Sequence, residues 1–361
     1  MIDLRNIKNE NLRSVLDSVA KNGKISRAGI SEKTGLSLVT VGKISDALLE
    51  RELIYQVKEA KKGAGRRAGA LCLNEKKFVL ILDLTSYDFF GATYDLGFKE
   101  KERFSFTYNK SVVFEKNLKE FISSVFLYIS ENDPLDCIGI GVLISGKYDR
   151  NTDTVMCREM PELSEIKLKK AVGEYFEGIF VTVGSYIDSA AIWTVKRAKD
   201  YSSYSAQNAV FLHFGKEVTG ALIADGRLFS GMNGNTCDPA SMMDERGEPL
   251  KKRFDKCVDI TEICCVLSYL TGNIVKLFYP DSFIITGLND KEAAEIPTAL
   301  KEKLISKYNI PEKDIPEFLF CAYDPSDARR GLCMVLRERF TDGMVFGERA
   351  DEATVRKKRD F

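Results

Sequence analysis

Ser37-Leu38-Val39-Thr40-Val41-Gly42-Lys43 is the stretch of this chain whose residue types and spacing best suit contact with a nucleic acid. If Ser37 caps a helix running to about Arg51, Val41, Ile44 and Leu48 share its inner face. Leu38, Thr40, Gly42 and Lys43 then project elsewhere. A threonine there can touch a thymine methyl or a phosphate, and a lysine a guanine edge or a phosphate. A second basic set lies in the loop KKGAGRR, where Gly63 and Gly65 allow a tight turn. Lys61, Lys62, Arg66 and Arg67 bring four positive charges to its tip. Arginine at such a tip suits a narrow A·T-rich minor groove, where the negative potential is enhanced. The same residues also fit a three-helix protein-interaction module with a solvated basic loop.

Other chemistry is thinly supplied. His213 is the single histidine, and the nine cysteines have no repeating spacing. Cys257, Cys264 and Cys265 lack the C-x-x-C pattern of a zinc site, so neither metal nor cofactor is expected. Without an export-like start, the cysteines read as reduced and mostly buried in a cytoplasmic protein. The apolar stretch from Ile260 to Phe278 is interrupted by Glu262, Ser268, Gly272, Asn273 and Lys276, and reads as a buried helix with no membrane span.

The elements that must position the N-terminal residues are legible. Leu12, Val15, Leu16 and Val19 line one helix face, which Asn22-Gly23 ends. Ser26 caps a second helix around Ile30, and Gly35 turns the chain into the third. Strands are expected at Leu53 to Glu59 and Ala68 to Leu73, flanking the basic loop as a wing. Two short helices joined by a glycine turn, the second presenting small polar and basic residues, describe a helix-turn-helix. Charge agrees. Residues 1–74 carry 14 Lys plus Arg against 8 Asp plus Glu, and the remainder 39 against 45, within a net charge of zero.

At 361 residues, with 44% apolar and 29% charged side chains, the chain has room for two or three soluble domains. From Phe78 the texture becomes that of an α/β body: FVLILDL, then FFGATYDLG, a third strand near Arg103 to Tyr108, a helix over Val112 to Ser130, and CIGIGVLISG. The order recurs at AVFLHF (Ala209 to Phe214) and TGALIADGRLF, followed by helices at about 260–277 and 290–307, strands at 282–286 and 317–321, and a last helix over 325–340. GATYDLG (Gly91 to Gly97) and GALIADG (Gly220 to Gly226) are counterparts about 130 residues apart, which argues for two related lobes. The expected domains are 1–74 (winged helix-turn-helix), 75–185 (first lobe, with the last helix packed on it), 186–340 (second lobe) and a frayed charged tail at 341–361.

With these motifs in view, the chain resembles the ROK family, and within it the NagC/Mlc/XylR-type transcriptional repressors. They place a winged helix before a two-lobed, actin-like (RNase H-like) sugar-kinase body. The resemblance runs with gaps from Arg5 to Phe340 and is carried by Arg5-Asn6, Ile25-Ser26-Arg27 and Gly65-Arg66-Arg67. It implies a DNA surface built from Arg27, Ser37, Leu38, Thr40, Lys43, Lys62, Arg66 and Arg67. In the body the family's E-N-D-A-N-A-A stretch, whose Asp is the catalytic base, corresponds to Gly184–Ala191, with Tyr186 in the base position. A tyrosine of ordinary pKa near 10 is a poor base at neutral pH. The family's D-x-G-G-T phosphate loop keeps Asp83 but offers Leu84, Thr85, Ser86 and Tyr87. A second loop survives in outline as GKEVTG, Gly215 to Gly220. The G-x-x-G-x-A-G-E-x-G-H sugar segment corresponds to Gly231–Ser241, where Asp238 replaces Glu and Ser241 replaces the zinc-binding His.

The resemblance thus implies a sequence-specific regulator without kinase activity, controlling carbohydrate-related genes through a sugar or sugar-derived effector. Its ligand residues would be Ser185, Tyr186, Asp188, Asn233, Asp238 and Ser241, in a cleft between lobes. A homodimer or homotetramer would bind double-stranded DNA at an inverted-repeat operator. An atypical ATP-dependent sugar kinase and a regulator that answers to a protein partner are the competing readings.

Overall fold

The structure is a computed structural model that describes residues 4–58, 69–131, 136–201, 207–215, 218–229, 231, 237–257 and 259–342. The N-terminal module opens with α1 (Leu4–Asn22), on which Leu12, Val15, Leu16 and Val19 are all fully buried. Gly23 ends it at φ +67°, a backbone conformation that a Cβ penalises. In α2 (Arg27–Thr34) the capping hydroxyl of Ser26 accepts from the Gly29 N–H at 3.1 Å. Gly35, at φ +70°, closes the helix by donating its N–H to the Ser31 carbonyl. In α3 (Leu38–Glu50) the Ser37 hydroxyl accepts from the Thr40 N–H at 3.1 Å. Such hydroxyl caps each contribute about 1 kcal/mol.

Three strands complete this module: β1 (Ile25–Ser26), β2 (Ile54–Lys58) and β3 (Gly69–Leu73), in the antiparallel order β1-β3-β2. Two-residue β1 is too short to show a period, and the sequence reading did not anticipate it. Ile30, Val41, Ile44, Leu48, Leu53, Ile54 and Leu71 join the α1 residues in the core. The basic wing expected at Lys61 to Arg67 lies outside the described residues.

The body holds two five-stranded sheets of the same order. The first runs β10-β7-β4-β5-β6, from β4 (Phe78–Leu84), β5 (Phe90–Asp95), β6 (Glu100–Ser105), β7 (Cys137–Ile144) and β10 (Val181–Ser185). The second runs β13-β12-β11-β14-β15, from β11 (Ala209–Phe214), β12 (Val218–Ala224), β13 (Arg227–Leu228), β14 (Ser282–Thr286) and β15 (Glu317–Cys321). Each begins with an antiparallel meander of three strands and then adds two more on the other side of its first strand. In the second sheet those additions are parallel to β11. The repeated glycines occupy equivalent places: Gly91 pairs with Leu82 and Gly220 with Leu212.

Some elements differ from the sequence reading. β6 sits at 100–105, not 103–108. It is an edge strand, and its EKERFS sequence uses exposed charges that an edge tolerates and a central strand does not. The hairpin β8 (Lys147–Asp149) and β9 (Thr154–Met156), and the helices α5 (Leu168–Gly173) and α7 (Leu250–Phe254), are too short for periodicity to announce. α4 (Phe114–Glu131), α8 (Ile260–Phe278), α9 (Asp290–Ser306) and α10 (Ser326–Asp342) lie within a few residues of their expected places. Among the described residues α8 is the one helix long and apolar enough to cross a membrane. Its Val266, Leu267, Leu270, Ile274 and Val275 are buried in the core beside Phe283, Ile285, Leu300 and Leu304.

The chain divides into two compact units: Met1–Val142, Lys169–Thr182 and Cys333–Phe361, and then Leu143–Leu168 with Val183–Leu332. The expected domain boundaries at 74/75 and 185/186 lie inside these units. The N-terminal module groups with the first sheet because polar and apolar contacts fasten it there. Residues 143–168 and the first turns of α10 belong to the second unit.

Candidate nucleic-acid interface and ligand residues

α3 buries one face completely and offers the other. Val41, Ile44 and Leu48 are at most 1% exposed, whereas Leu38, Val39, Lys43 and Asp46 are open to solvent. The Thr40 hydroxyl lies 2.9 Å from that of Ser37, so the cap itself holds this side chain in place. Arg27 reaches across to Asp46 and forms an ion pair at 2.5 Å. Of the residues expected to touch DNA, the structure thus places Ser37, Leu38, Thr40 and Lys43 together on the start of α3. Arg27 is engaged with a partner on α3, and Lys62, Arg66 and Arg67 lie outside the described residues.

The module is held to the rest of the first unit by buried charge. Arg337 of α10 is only 2% exposed. Its guanidinium donates to the Leu96 carbonyl at 2.8 Å and to Asp17 of α1, and it stacks 4.2 Å above the Phe98 ring. One turn further, Arg13 of α1 contacts both carboxylate oxygens of Asp342 at 2.8 and 3.1 Å and Glu338 at 3.5 Å. Lys77, 7% exposed, bonds Asp136 at 3.0 Å and approaches Glu52 at 3.8 Å. Nothing in the sequence distinguishes Arg337 in RERF from a solvated arginine.

In the second unit, α6 (Tyr186–Tyr201) begins immediately after β10. Ser185 ends the strand, and its hydroxyl faces the Asp188 N–H at 3.5 Å, a long contact. Tyr186 lies 6.5 Å, ring to ring, from Tyr323, which stacks at 4.5 Å on His213. His213 is fixed in turn by Thr286, whose hydroxyl is 3.0 Å from its Nδ1. These residues stand at or just beyond the C-terminal ends of the parallel strands β11, β14 and β15, the end where ligands of open α/β sheets bind. Sequence reasoning missed Tyr323, His213 and Thr286, since only the sheet register joins them. Burial lowers the His213 pKa from its ordinary 6.5 and keeps the ring neutral.

A second group gathers at a short turn, Pro239–Ser241. The Ser241 hydroxyl donates to Asp238 at 3.0 Å, and Lys147 places its ammonium 3.5 Å from the same carboxylate oxygen. Lys147 was not anticipated. The neighbouring Cys237 thiol is pushed up to about 11, first by burial and then by the Asp238 charge, so it is unreactive at neutral pH. Asn233 lies outside the described residues.

Comparison with known proteins gives these features a context. No protein-family profile matches the chain. It is 23% identical over 295 residues to a xylose repressor of Bacillus spizizenii, covering 79% of this chain and 74% of that protein. It is 26% identical over 234 residues to the DNA-binding transcriptional dual regulator NagC of Escherichia coli, covering 63% of this chain and 56% of that protein. The chain resembles the ROK-type sugar repressors. In solved structures its fold matches a ROK family transcriptional regulator, a homologue of the Escherichia coli Mlc protein, with a TM-score of 0.67 at 16% identity over 97% of this chain and 99% of that one. A glucokinase from Parabacteroides distasonis gives 0.54 at 14% identity over 74% of this chain and 98% of that one. The body therefore has the α/β sugar-kinase fold.

Asp83, near the end of β4, serves a local task. It is buried, and its carboxylate accepts from the Thr85 N–H at 3.1 Å and the Thr85 hydroxyl at 2.6 Å. Two outcomes follow from the polar contacts. Arg337→Leu strands Asp17 and the Leu96 carbonyl, and is expected to cost about 3 kcal/mol in urea denaturation. His213 binds a proton at 6.5 when unfolded and only at lower pH when folded, so its contribution is present above pH 6.5 and is lost as pH falls below it. His213→Gln should therefore flatten the acid side of the stability–pH curve, measured by denaturation at a series of pH values.

Proposed function

We propose that this chain is a cytoplasmic, DNA-binding transcription regulator that binds an inverted-repeat operator as a homodimer or homotetramer. In this reading residues 1–74 form a winged helix-turn-helix. α3 enters the major groove, and the basic loop with Lys62, Arg66 and Arg67 is the wing. The observation that carries the reading is the start of α3, where Ser37, Leu38, Thr40 and Lys43 stand clear of a fully buried face. The repressor names of the sequence relatives support it. A two-fold operator would hold two such helices about 34 Å apart.

The effector is a sugar or sugar-derived molecule held by Ser185, Tyr186, Asp188, Asn233, Asp238 and Ser241. Two features of α10 support communication with the DNA-reading module. In the second unit Asp327 pairs with Arg197 at 3.2 Å, and a Cβ on Gly331 would collide with the Ser189 carbonyl of α6. In the first unit the last turns of the same helix grip α1 through Arg337, Glu338 and Asp342. A ligand that moves the start of α6 would act on α10 through the first of these contacts. By linkage, DNA must alter ligand affinity by the same factor.

Phosphorylation of the sugar is not part of the reading. Tyr186 stands where a kinase has its aspartate base, and Asp83 has the Thr85 hydroxyl, not a glycine loop, as its neighbour. An assay coupling ATP hydrolysis to hexoses and N-acetylhexosamines should show no turnover; turnover abolished by Asp83→Ala would overturn this part. Lys43→Ala should weaken operator binding by ~1–3 kcal/mol, read by fluorescence anisotropy. Arg66→Ala with Arg67→Ala should lower the salt slope of binding by about 2. An unchanged affinity and slope in all three variants would contradict the DNA reading.

A further inference from the structure

The first turn of α3 carries two large apolar side chains that the fold does not use. Leu38 is 59% exposed and Val39 69%. A single exposed aliphatic residue needs no explanation, but these are adjacent and lie where a reading helix meets base edges. The rest of that surface has little with which to read bases by hydrogen bonding. LVTVGKISDALLE contains no Arg, Asn or Gln, the side chains that pair bidentately with guanine or adenine. The Thr40 hydroxyl is shared with Ser37, and Asp46 is held by Arg27. Gly42, one turn after Leu38, has open space where a Cβ would stand, so neither bulk nor a polar group lies between the apolar pair and Lys43. What remains is an apolar pair, a bare backbone and one cation. Branched alkyl groups can distinguish base pairs in the major groove chiefly by contact with the thymine C5 methyl.

We propose that Leu38 and Val39 are specificity-determining residues that read thymine methyl groups, so that each half-site presents thymines to the first turn of α3 while Lys43 anchors the flanking backbone or a guanine edge. This rests on the DNA-binding reading above and adds the chemistry by which one sequence is preferred to another.

The test uses the full chain and the duplex that it enriches most from a random pool, in two forms. One has its natural thymines; in the other, the half-site thymines are replaced by deoxyuridine, which keeps every hydrogen-bonding group and removes only the methyl. Wild-type protein should bind the uracil duplex about fourfold more weakly for each contacted methyl, the worth of burying one such group. The doubly substituted variant Leu38→Ser, Val39→Ser should bind the two duplexes equally and keep the wild-type salt slope. Equal affinity of the wild type for both duplexes would overturn the methyl reading while leaving DNA binding intact. Discrimination that survives in the variant would overturn the assignment to these two residues. Enrichment of no duplex would remove the DNA-binding reading and this proposal with it.

Discussion

Arg337 is the charge on which the arrangement of the first unit depends. A guanidinium taken out of water costs several kcal/mol unless its surroundings replace the lost hydration. Here the Leu96 carbonyl and the Phe98 ring, both from the turn after β5, and the Asp17 carboxylate of α1 replace much of it, while the buried Nε is left without a hydrogen-bond partner. Phe98 adopts φ +69° to present its ring, an uncommon conformation for a side chain of this size. The contact joins α10 to α1 and to the turn after β5 within the first unit. It fixes α1, and through α1 the position of α2 and α3, with a specificity that apolar packing alone would not give.

The rest of the N-terminal module follows from that fixed base. Buried leucines, isoleucines and valines on α1, α2 and α3 leave one orientation for each helix. The hydroxyl caps of Ser26 and Ser37 then set where α2 and α3 begin. Since the cap at Ser37 also holds Thr40, the start of α3 is organised in the free protein, and in the proposed reading little conformational entropy would be lost on binding DNA. At its far end α10 is packed just as closely, with Gly331 against α6 and Asp327 against Arg197.

Much of this was legible in the sequence because it depends on local rules. The apolar period of α1, the serine caps, the left-handed glycine at Gly35 and the doubled strand-turn-strand pattern are short-range signals, and the structure has all of them. What stayed hidden depends on distant partners. Arg337 and Lys77 look like surface cations until Asp17, Leu96 and Asp136 are brought to them. Tyr323, His213 and Thr286 share a sheet end only because β11, β14 and β15 run parallel. α6 buries a face of Ala190, Ala191, Thr194, Val195 and Ala198, small residues whose helical period carries little weight against the motif they also compose. Asp238 and Ser241, three residues apart, meet in space, whereas the sequence gives no sign of Lys147, which arrives from the β8 hairpin.

The account stands or falls on whether the N-terminal module reads DNA. Purified protein should be used to select fragments from its genome of origin, with bound fragments sequenced against the unselected pool. Recovery of a small set of fragments sharing a two-fold symmetric motif with half-sites about one helical turn apart is the predicted result. Recovery of the input distribution, at a salt concentration where the protein is folded and soluble, would contradict it.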